Sequence, residues 1–549
     1  LGGCFMANNN FKKPDRGSSS APDHIMISFC GDARHEMAVT WRTDTSARDG
    51  YVLYWAEGEK EQRQNAVCRT IKSDIDISKF NCARLSSLKA GTKYYYTCGD
   101  ENNRSKTFSF TTQGEGCDSF KFIVIADHQV GDPWEKPDYS VVKNMLKKAI
   151  KQHEDIKFIL TAGDNCDDGQ NELQWNGMFS GLDGIVESLP YMMTTGNHDN
   201  RGFEQYLPEP KGKFYLDHAD FFDEQFKYSY PQNGPKGFET ENYSFDYGNV
   251  HFCIMGINEP QKVGDWAYDD INGSSAEWKL GAYHFPIYPA IPEGQNDDGY
   301  PWLRKAVESL DLIFEGHEHT FARTYPMRGD AMYEKPSEGT VHCQCGSGSG
   351  GRHANERKIW HTSFYTQEEG VPVYALVEVN KLKLTVTTML SDGRVADRFL
   401  IDKEKDAIDP PALPPVYGSG ARMIYKGSMP HIAARGTYCE KKDGVWFCPF
   451  AVLAQYIGAA VNKKEGSAEI EMYGKRALFF EGESFAEVNG EKISLGAAVY
   501  FGGGQLMVPA SKTAEIFGLR CNYIEHNNIL DFETEIESSP LSEQKRKQG

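Results

Sequence analysis

Residues 310–319, LDLIFEGHEH, combine an apolar segment of strand type with a glycine and two histidines at its end. Four more apolar segments also end in polar residues: FKFIVIAD (120–127), IKFILTAGD (156–164), YMMTTGNHD (191–199) and KLGAYHFP (279–286). Continuous apolar segments are typical of strands that are covered on both faces, and helical stretches alternate with them here. The pattern predicts an α/β domain.

One of these helical stretches is SVVKNMLKKAIKQH, residues 140–153. Side chains three and four positions apart share a face of an α-helix. We expect the buried face to be made of Val141, Val142, Met145, Leu146, Ala149 and Ile150.

The polar residues at the strand ends are candidate metal ligands. Ligand sites in open α/β sheets lie beyond the carboxyl ends of the strands, so we expect these side chains to meet. Carboxylate, amide and imidazole ligands suit iron, manganese or zinc. There are more of them than a closed tetrahedral site needs, and two adjacent metals with a shared carboxylate would use them all. The alternative, a set of polar turns with solvated histidines, is disfavoured because every motif closes a predicted strand. The candidate ligands are Asp127, Asp164, Asn197, His284, His317 and His319.

Length and charge limit the classes of protein to which the chain can belong. With 549 residues it is too long for one hydrophobic core, so about two to four domains are expected. A net charge of −19 argues against a nucleic-acid-binding surface, because phosphate backbones require dense lysine and arginine. No apolar stretch is long enough to span a membrane.

Composition divides the rest of the chain. Residues 1–23 are polar and contain Gly, Ser and Pro, which predicts a tether. Residues 24–113 alternate apolar and polar positions in short segments such as MAVTWRT and TKYYYTCGD, which predicts a small all-β sandwich. The α/β domain is assigned to residues 117–402.

The last part of the chain contains a Pro-rich linker and an internal repeat. Residues 403–430 are assigned to the linker, 431–536 to a small α+β repeat domain and 537–549 to a tail. The repeat rests on two matching series, Pro449, Ala454, Gly458 and Pro509, Ala514, Gly518.

The cysteines point to export. Thirteen are many for a cytosolic enzyme, and disulfides persist outside reducing compartments. Cys439 and Cys448 flank a predicted hairpin, so we expect them to form a disulfide. The first residues, LGGC, resemble a bacterial lipobox, which makes Cys4 a candidate lipid anchor; a short trimmed N-terminus is the other interpretation. We expect an extracellular or cell-surface protein.

Three parts of the chain resemble known families. ARLSSLKAGTKYYYTCGDENNRSKTFSFTT (83–112) resembles the fibronectin-III-like domain that precedes the catalytic domain of purple acid phosphatases. The ordered strand-end motifs resemble calcineurin-like metallophosphoesterases, and purple acid phosphatases most of all, which implies a four-layer α/β/β/α domain. The C-terminal repeat resembles the copper-amine-oxidase N-terminal-like stalk domain, for which we expect a structural or attachment role.

The resemblance implies a role for each motif residue. Asp164 would bridge two metals, Asp127 and His319 would bind one of them, and the other would be bound by Asn197, His284 and His317. His198 would protonate the leaving-group oxygen or contact the phosphate, and a metal-bound hydroxide would attack. Arg201 and Arg323 are candidate phosphate-binding residues because they lie close to the motifs.

Two positions depart from the related families. Purple acid phosphatases have a tyrosine three residues after the bridging aspartate, and this chain has Asp167 there. Ferric iron is then less favoured and the purple colour should be absent. Many metallophosphoesterases have a histidine at the position of Gln129, which could act as a weak ligand or only form a hydrogen bond; we favour ligation.

The sequence thus predicts an exported hydrolase of phosphate esters with two metal ions (Fe, Mn or Zn) and a small-molecule substrate. The alternative is a cell-surface or filament-forming protein that uses the phosphatase fold as a scaffold, with envelope attachment or self-association through the stalk-like domain.

Overall fold

The computed structural model describes most of the chain. Cys4, the first part of the predicted tether and the predicted tail lie outside the described residues, so the roles given to them stay predictions. None of the helices in the described part has the length and apolar character needed to span a bilayer. The described residues are 17–131, 137–153, 155–201, 219–289, 300–329, 331–351, 361–365, 370–409, 421–425, 439–502, 505–524 and 529–534.

The N-terminal region is a sandwich of two antiparallel four-stranded sheets, as its alternating sequence predicts. Strand order is β1-β2-β6-β5 in one sheet and β4-β3-β7-β8 in the other, with strands β1 (Asp23–Ser28), β2 (Met37–Asp44), β3 (Tyr51–Ala56), β4 (Gln62–Asn65), β5 (Val67–Lys72), β6 (Ile77–Leu85), β7 (Lys93–Gly99) and β8 (Phe108–Thr111). In β3 and β7 the more buried side chains alternate with less buried ones, and Trp41, Tyr96 and Phe110 are buried in the core.

The central region contains two mixed sheets. The first has the order β11-β10-β9-β20-β21-β22-β23, and the second β12-β13-β14-β15-β18-β16-β17 with β19 paired to β16. The elements of the first part are β9 (Ser119–Ile125), α1 (Ser140–Gln152), β10 (Ile156–Thr161), α2 (Glu172–Gly181), β11 (Tyr191–Met192), α3 (Asp220–Phe226), β12 (Tyr243–Tyr247), β13 (Val250–Met255), α4 (Pro260–Gly273) and β14 (Trp278–Tyr283). The remaining elements are α5 (Tyr300–Val307), β15 (Leu312–Glu315), β16 (Phe321–Arg328), β17 (Ala331–Met332), a 3-10 turn (Pro336–Glu338), β18 (Thr340–Cys345), β19 (His361–Tyr365), β20 (Val373–Asn380), β21 (Lys383–Leu390), β22 (Val395–Asp402) and β23 (Ala407–Asp409).

The two sheets pack face to face through aromatic side chains. Phe122 of the first sheet lies 5.3 Å from Phe252 and 6.2 Å from Phe314 of the second, measured between ring centroids. Helix α1 packs on the first sheet, and Val263 of α4 and Leu303 of α5 belong to a separate core on the far face of the second sheet. The four layers are therefore helix, sheet, sheet and helix.

The predicted face of α1 needs one correction. Val142, Met145, Leu146 and Ala149 are buried and Ile150 packs against the same core, but Val141 is 49% exposed. The buried stripe of this helix is narrower than the apolar pattern predicts, because Val141 sits on the edge that faces solvent.

The C-terminal region confirms the internal repeat as two copies of strand, proline, helix, glycine and strand. Strands β26 and β33 pair antiparallel, and each leads through Pro449 or Pro509 into a short helix that ends before Gly458 or Gly518. Both glycines have positive φ, 89° and 72°, which suits the left-handed residue after a helix.

The elements of this region are β24 (Arg422–Tyr425), β25 (Glu440–Lys442), β26 (Val445–Cys448), α6 (Phe450–Tyr456), β27 (Ala460–Lys464), β28 (Ser467–Met472), β29 (Lys475–Phe480), β30 (Phe485–Val488), β31 (Glu491–Ser494), β32 (Tyr500–Gly502), β33 (Gln505–Pro509), α7 (Ala510–Ile516), β34 (Leu519–Ile524) and β35 (Ile529–Thr534). The ends of the predicted linker also belong to sheets, since β23 pairs with β22 and β24 pairs with β35.

The predicted disulfide is not present in the structure. Cys439 and Cys448 lie at the two ends of the β25–β26 hairpin, as expected, but both are buried free thiols. Every cysteine among the described residues is likewise free. Buried cysteine packs as a small apolar side chain, and both of these belong to the C-terminal core.

Candidate metal centre

The ends of five strands from the two sheets meet at one edge of the central domain. Asp127, Asp164 and Asn197 follow β9, β10 and β11 of the first sheet. His284 and His317 follow β14 and β15 of the second. Because these neighbouring strands run parallel within each sheet, their carboxyl ends lie side by side.

The six predicted ligands form a chain of short contacts, and we call them the six-residue cluster: Asp127, Asp164, Asn197, His284, His317 and His319. His284 Nε2 is 3.1 Å from Asp164 Oδ2 and 3.1 Å from Asn197 Oδ1. His317 Nδ1 is 3.0 Å from Asn197 Oδ1, and His319 Nε2 is 3.4 Å from Asp127 Oδ1. Candidate ligand atoms of Asp164, His284 and His317 all lie within 4.8 Å of one another.

Backbone groups hold the two carboxylates. The N–H of His317 donates to both oxygens of Asp127, at 2.8 and 2.9 Å, and the N–H of His198 donates to Asp164 Oδ1 at 2.8 Å. His284 Nδ1 lies 2.9 Å from the carbonyl oxygen of Ala162, to which it donates. That bond fixes the tautomer and leaves Nε2 as the ligating atom, an arrangement common for metal-binding histidines.

The protonation states of Asp164 and His317 suit a cation, whereas His284 would have to lose a proton to bind one. Burial raises the pKa of Asp164, but His284 and His198 outweigh it, and the pKa falls well below its usual range. Burial and neighbouring His284 lower the pKa of His317 to about 3. Burial also acts to lower the pKa of His284, but the carboxylate of Asp164 outweighs it and raises that pKa to about 9. An ionised carboxylate and neutral imidazoles are the forms that bind metals, so a cation would compete with the proton on His284.

Gln129 borders the cluster. Its Nε2 lies 3.4 Å from Asp164 Oδ2 and 3.3 Å from His319 Nε2. Its Oε1 is buried and has no hydrogen-bond partner among the described residues. A buried acceptor without a donor is costly. Because Nε2 faces Asp164 and His319, Oε1 would meet a cation held there if the amide were turned over, and the two amide atoms are nearly alike in size. The residues present therefore fit a metal centre, and ligation by Gln129 stays a prediction.

His198 lies beside the cluster together with two charged residues. Its Nε2 is 3.8 Å from Asp164 Oδ2, while its Nδ1 is 2.9 Å from Asp167 Oδ1 and 2.7 Å from a terminal nitrogen of Arg201. The structure thus places the predicted acid and one predicted phosphate-binding arginine next to the candidate ligands.

Arg323 is engaged elsewhere. Its Nε donates to Asp397 Oδ2 at 2.6 Å, and its guanidinium lies 4.4 Å from the ring centroid of Phe399. Both partners belong to β22, and the arginine side chain is buried. These contacts favour a role for Arg323 in joining the two sheets over the predicted role in phosphate binding. The prediction used only its closeness to the GHEH motif in sequence, which does not determine the direction of a long side chain.

Asp199 is a site residue that the sequence did not single out. It is fully buried and accepts hydrogen bonds from the backbone of Asn165 at 3.0 Å and of Gly196 at 2.8 Å. It thereby joins the loop that carries Asp164 to the loop that carries Asn197. Asp199 is the last residue of the GNHD motif, but the sequence does not indicate which backbone groups donate hydrogen bonds to it.

Comparisons with known proteins identify three domains. Three family models match: purple acid phosphatase N-terminal domain over residues 22–112, calcineurin-like phosphoesterase over 120–321, and copper amine oxidase N-terminal domain over 437–531.

Curated relatives and a solved structure point the same way. Purple acid phosphatase 21 of Arabidopsis thaliana is 25% identical over 60% of this chain and 71% of its own length. Probable inactive purple acid phosphatase 1 of the same plant is 25% identical over 70% of each chain. The structure of a purple acid phosphatase from yellow lupin (Lupinus luteus) seeds shares the fold, with a TM-score of 0.59 and 19% identity over 70% of this chain and 75% of that one. The chain therefore carries a calcineurin-like phosphoesterase domain between a purple acid phosphatase N-terminal domain and a copper amine oxidase N-terminal domain, and it is similar to purple acid phosphatases over most of its length.

Proposed function

We propose that the chain is an active metal-dependent phosphoric ester hydrolase that acts on phosphomonoesters. The observation that carries the proposal is the grouping of Asp164, His284 and His317, whose candidate ligand atoms lie within 4.8 Å of one another. Asn197 lies 3.1 Å from His284, and Asp127 and His319 form a neighbouring pair 3.4 Å apart. A chain that had lost catalysis would be free to lose ligands. The relatives include a purple acid phosphatase and a probable inactive purple acid phosphatase, so an activity assay decides between the two possibilities.

Each residue then has a defined task. Asp127 and His319 would hold one ion, Asn197, His284 and His317 would hold the other, and Asp164 would be shared. Two such ions would supply charge for the phosphate oxygens and a nucleophile from water at neutral pH. His198 Nε2 would hold the proton that the leaving oxygen takes. Arg201, next to His198, would bind a phosphate oxygen.

The first test is hydrolysis of p-nitrophenyl phosphate by protein loaded with Fe, Mn or Zn. H317A removes one ligand, and we expect its kcat/KM to fall by about 100-fold or more, since even residues behind the ligands contribute 10–100-fold. H153A is a matched control, because His153 caps helix α1 away from the cluster. Equal background rates in all three proteins would contradict the proposal.

The preference for monoesters rests on charge. Arg201 and the two ions would balance a dianionic monoester better than the monoanion of a diester. We expect a larger kcat/KM for p-nitrophenyl phosphate than for bis(p-nitrophenyl) phosphate. The reverse order would assign a phosphodiesterase.

A second candidate function is attachment. The copper amine oxidase N-terminal domain forms its own core and has exposed aromatic residues, among them Tyr473, Phe501 and Tyr523. These features support the use of this domain as an attachment module, and we propose that it holds the protein at the outside of the cell. This role is compatible with catalysis. Fractionation of producing cells, with and without residues 437–531, tests the location.

A further inference from the structure

A pair of carboxyl groups lies where the N-terminal sandwich meets the phosphoesterase domain. Asp183 and Glu187 belong to the loop of residues 182–189, which joins α2 to β11. Their carboxyl groups are in hydrogen-bonding contact, and the backbone N–H of Gly184 donates to Glu187 Oε2 at 2.8 Å. Glu187 is buried, with only 4% of its surface exposed, whereas the side chain of Asp183 is 55% exposed.

The contact between these two carboxyl groups needs a proton. Two ionised carboxylates at hydrogen-bonding distance repel each other, and only a proton between them makes the contact attractive. Burial raises the pKa of Glu187 to about 7, and the hydrogen bond with Asp183 acts in the same direction. The same hydrogen bond lowers the pKa of Asp183. The shared proton therefore belongs to Glu187, and Asp183 accepts it.

The loop of residues 182–189 is also bonded to the sandwich. The backbone N–H of Ile27 in β1 donates to the carbonyl oxygen of Val186 at 3.0 Å. The hydroxyl of Tyr96 in β7 donates to the backbone oxygen of Glu187 at 2.8 Å. The residue that holds the proton thus also supplies one of the bonds between the two domains.

Two lysines face the pair, and both act on Asp183. Lys106 of the sandwich lies 3.3 Å from Asp183 Oδ1, although its side chain is 63% exposed. Lys143 of α1 also lowers the pKa of Asp183. In the part of the chain that the structure describes, no lysine or arginine forms an ion pair with Glu187 itself. An ionised Glu187 would therefore be a buried charge without its own cation.

The other groups around Glu187 do not supply that cation. From β7, the phenol of Tyr96 and the thiol of Cys98 face Glu187, and both stay neutral because burial raises their pKa values. A cavity of about 670 Å³ lies beside the pair, and Glu187 lines it. Its other titratable or charged lining residues include Asp23, His24, Arg42 and Arg104.

We propose that Asp183 and Glu187 form a pH-dependent latch, which holds the loop of residues 182–189 against the sandwich in acidic solution and releases it above neutral pH. With the proton in place, the carboxyl groups attract each other and the loop keeps its bonds to β1 and β7. Without it, two negative charges are in contact and one of them is buried. Movement of Glu187 toward the water in the cavity relieves both costs, and it withdraws the loop backbone from the sandwich.

The direction of the pH effect follows from the protonation of Glu187. Its pKa in the folded chain, about 7, lies above its usual value of 4.5. The stabilisation by the shared proton is therefore complete below pH 4.5 and is lost as the pH rises through 7. The latch does not depend on whether the chain is a hydrolase.

E187Q tests the latch without a change in side-chain shape. The amide donates through Nε2 to Asp183, accepts through Oε1 from Gly184 and does not ionise, so it mimics the protonated carboxyl at every pH. Hydrogen–deuterium exchange, read by mass spectrometry in peptides that cover Ile27 and Gly184, gives the protection factors of the two backbone N–H groups. Between pH 5 and pH 8 these factors should fall by about 10- to 100-fold in the unchanged protein and by less than about 3-fold in E187Q.

Two more variants distinguish the latch from a general effect of pH. D392N removes an exposed carboxyl that is paired with Arg394, and its protection factors should fall as in the unchanged protein. K106M removes a cation that favours the ionised pair, so the midpoint of the fall should move to higher pH. Level protection across this pH range in the unchanged protein, a parallel fall in E187Q, or a midpoint at lower pH in K106M would each overturn the inference.

Discussion

The contact between the N-terminal sandwich and the phosphoesterase domain contains a buried ion pair whose removal should be costly. Arg42 of β2 donates to Glu172, the first residue of α2, and the side chains are 2% and 0% exposed. A second bond, 2.6 Å long, joins Arg42 to Asp23, whose side chain is 41% exposed. Glu172 also accepts from the hydroxyls of Ser73 and Ser78.

The expected loss of unfolding free energy depends on which charge each substitution leaves buried without a partner. R42M keeps the length of the side chain but leaves the carboxylate of Glu172 buried without a cation, which costs about 3–5 kcal/mol of unfolding free energy. The bond to half-exposed Asp23 adds no more than about 1 kcal/mol. In the double variant R42M/E172Q the stranded charge is gone, and we expect most of the loss to be recovered.

Urea denaturation, followed by circular dichroism, measures these differences for R42M, E172Q and the double variant. R394A is the matched control, because Arg394 forms an exposed pair with Asp392 and its loss should cost under about 1 kcal/mol. A loss below about 1 kcal/mol in R42M would refute the reasoning. So would a double variant as unstable as R42M, since the cost would then lie in packing and not in the unpaired charge.

Three further predictions concern the site and the core. In G196A the new methyl carbon would lie 2.2 Å from Asp164 Oδ1, so we expect metal content, measured by mass spectrometry, to fall below that of the unchanged protein. Burial acts to lower the pKa of His251, but Asp246 and Asp270 outweigh it and raise that pKa to about 9, above the unfolded value of 6.5. The stabilisation by protonated His251 is complete below pH 6.5 and is lost as the pH rises through 9. The unfolding free energy should therefore fall over this pH range in the unchanged protein, and it should fall less in H251N. F158A removes a ring whose centroid lies 5.4 Å from that of Phe252 of the second sheet and 4.8 Å from that of Phe122 of its own sheet. It should cost about 3–5 kcal/mol of unfolding free energy in urea denaturation, whereas a loss under about 1 kcal/mol would contradict the packing of the two sheets.

The strand ends were the most predictable part of the molecule. The residues that follow neighbouring parallel strands lie at one edge of their sheet, so the proximity of Asp127, Asp164 and Asn197 follows from the strand pattern. That His284 of the second sheet reaches the same place depends on how the two sheets pack. The repeat was equally predictable, because in both copies proline fixes φ at the start of the helix and glycine permits the left-handed conformation after its end.

Side-chain partners were less predictable, because they depend on residues far away in the sequence. Arg323 lies close to the GHEH motif in sequence, yet its partner is Asp397 of another sheet. The hairpin brings Cys439 and Cys448 to its two ends, but the sequence alone does not determine whether they are oxidised. Asp167 departs from the related families in sequence, but its contact with His198, 31 residues away, depends on how two loops fold against each other.

The backbone of the ligand loops bears on whether catalysis is retained. Asp127, Asp164, His317 and His319 have positive φ of 47°, 54°, 72° and 47°. The left-handed region costs about 1–2 kcal/mol per residue with a side chain, although aspartate and histidine tolerate it better than most. A strained conformation of this kind persists only where surrounding interactions stabilise it. Here the backbone N–H groups that donate to the carboxylates of Asp127 and Asp164 stabilise it. A protein that served only as a scaffold would not need this backbone conformation. A metal site does need it, because the conformation directs the side chains of successive loops to one point. Replacement of His319 by asparagine, which tolerates positive φ, should therefore keep the fold and lower metal content; unchanged metal content would indicate that these loops serve the fold and not a metal.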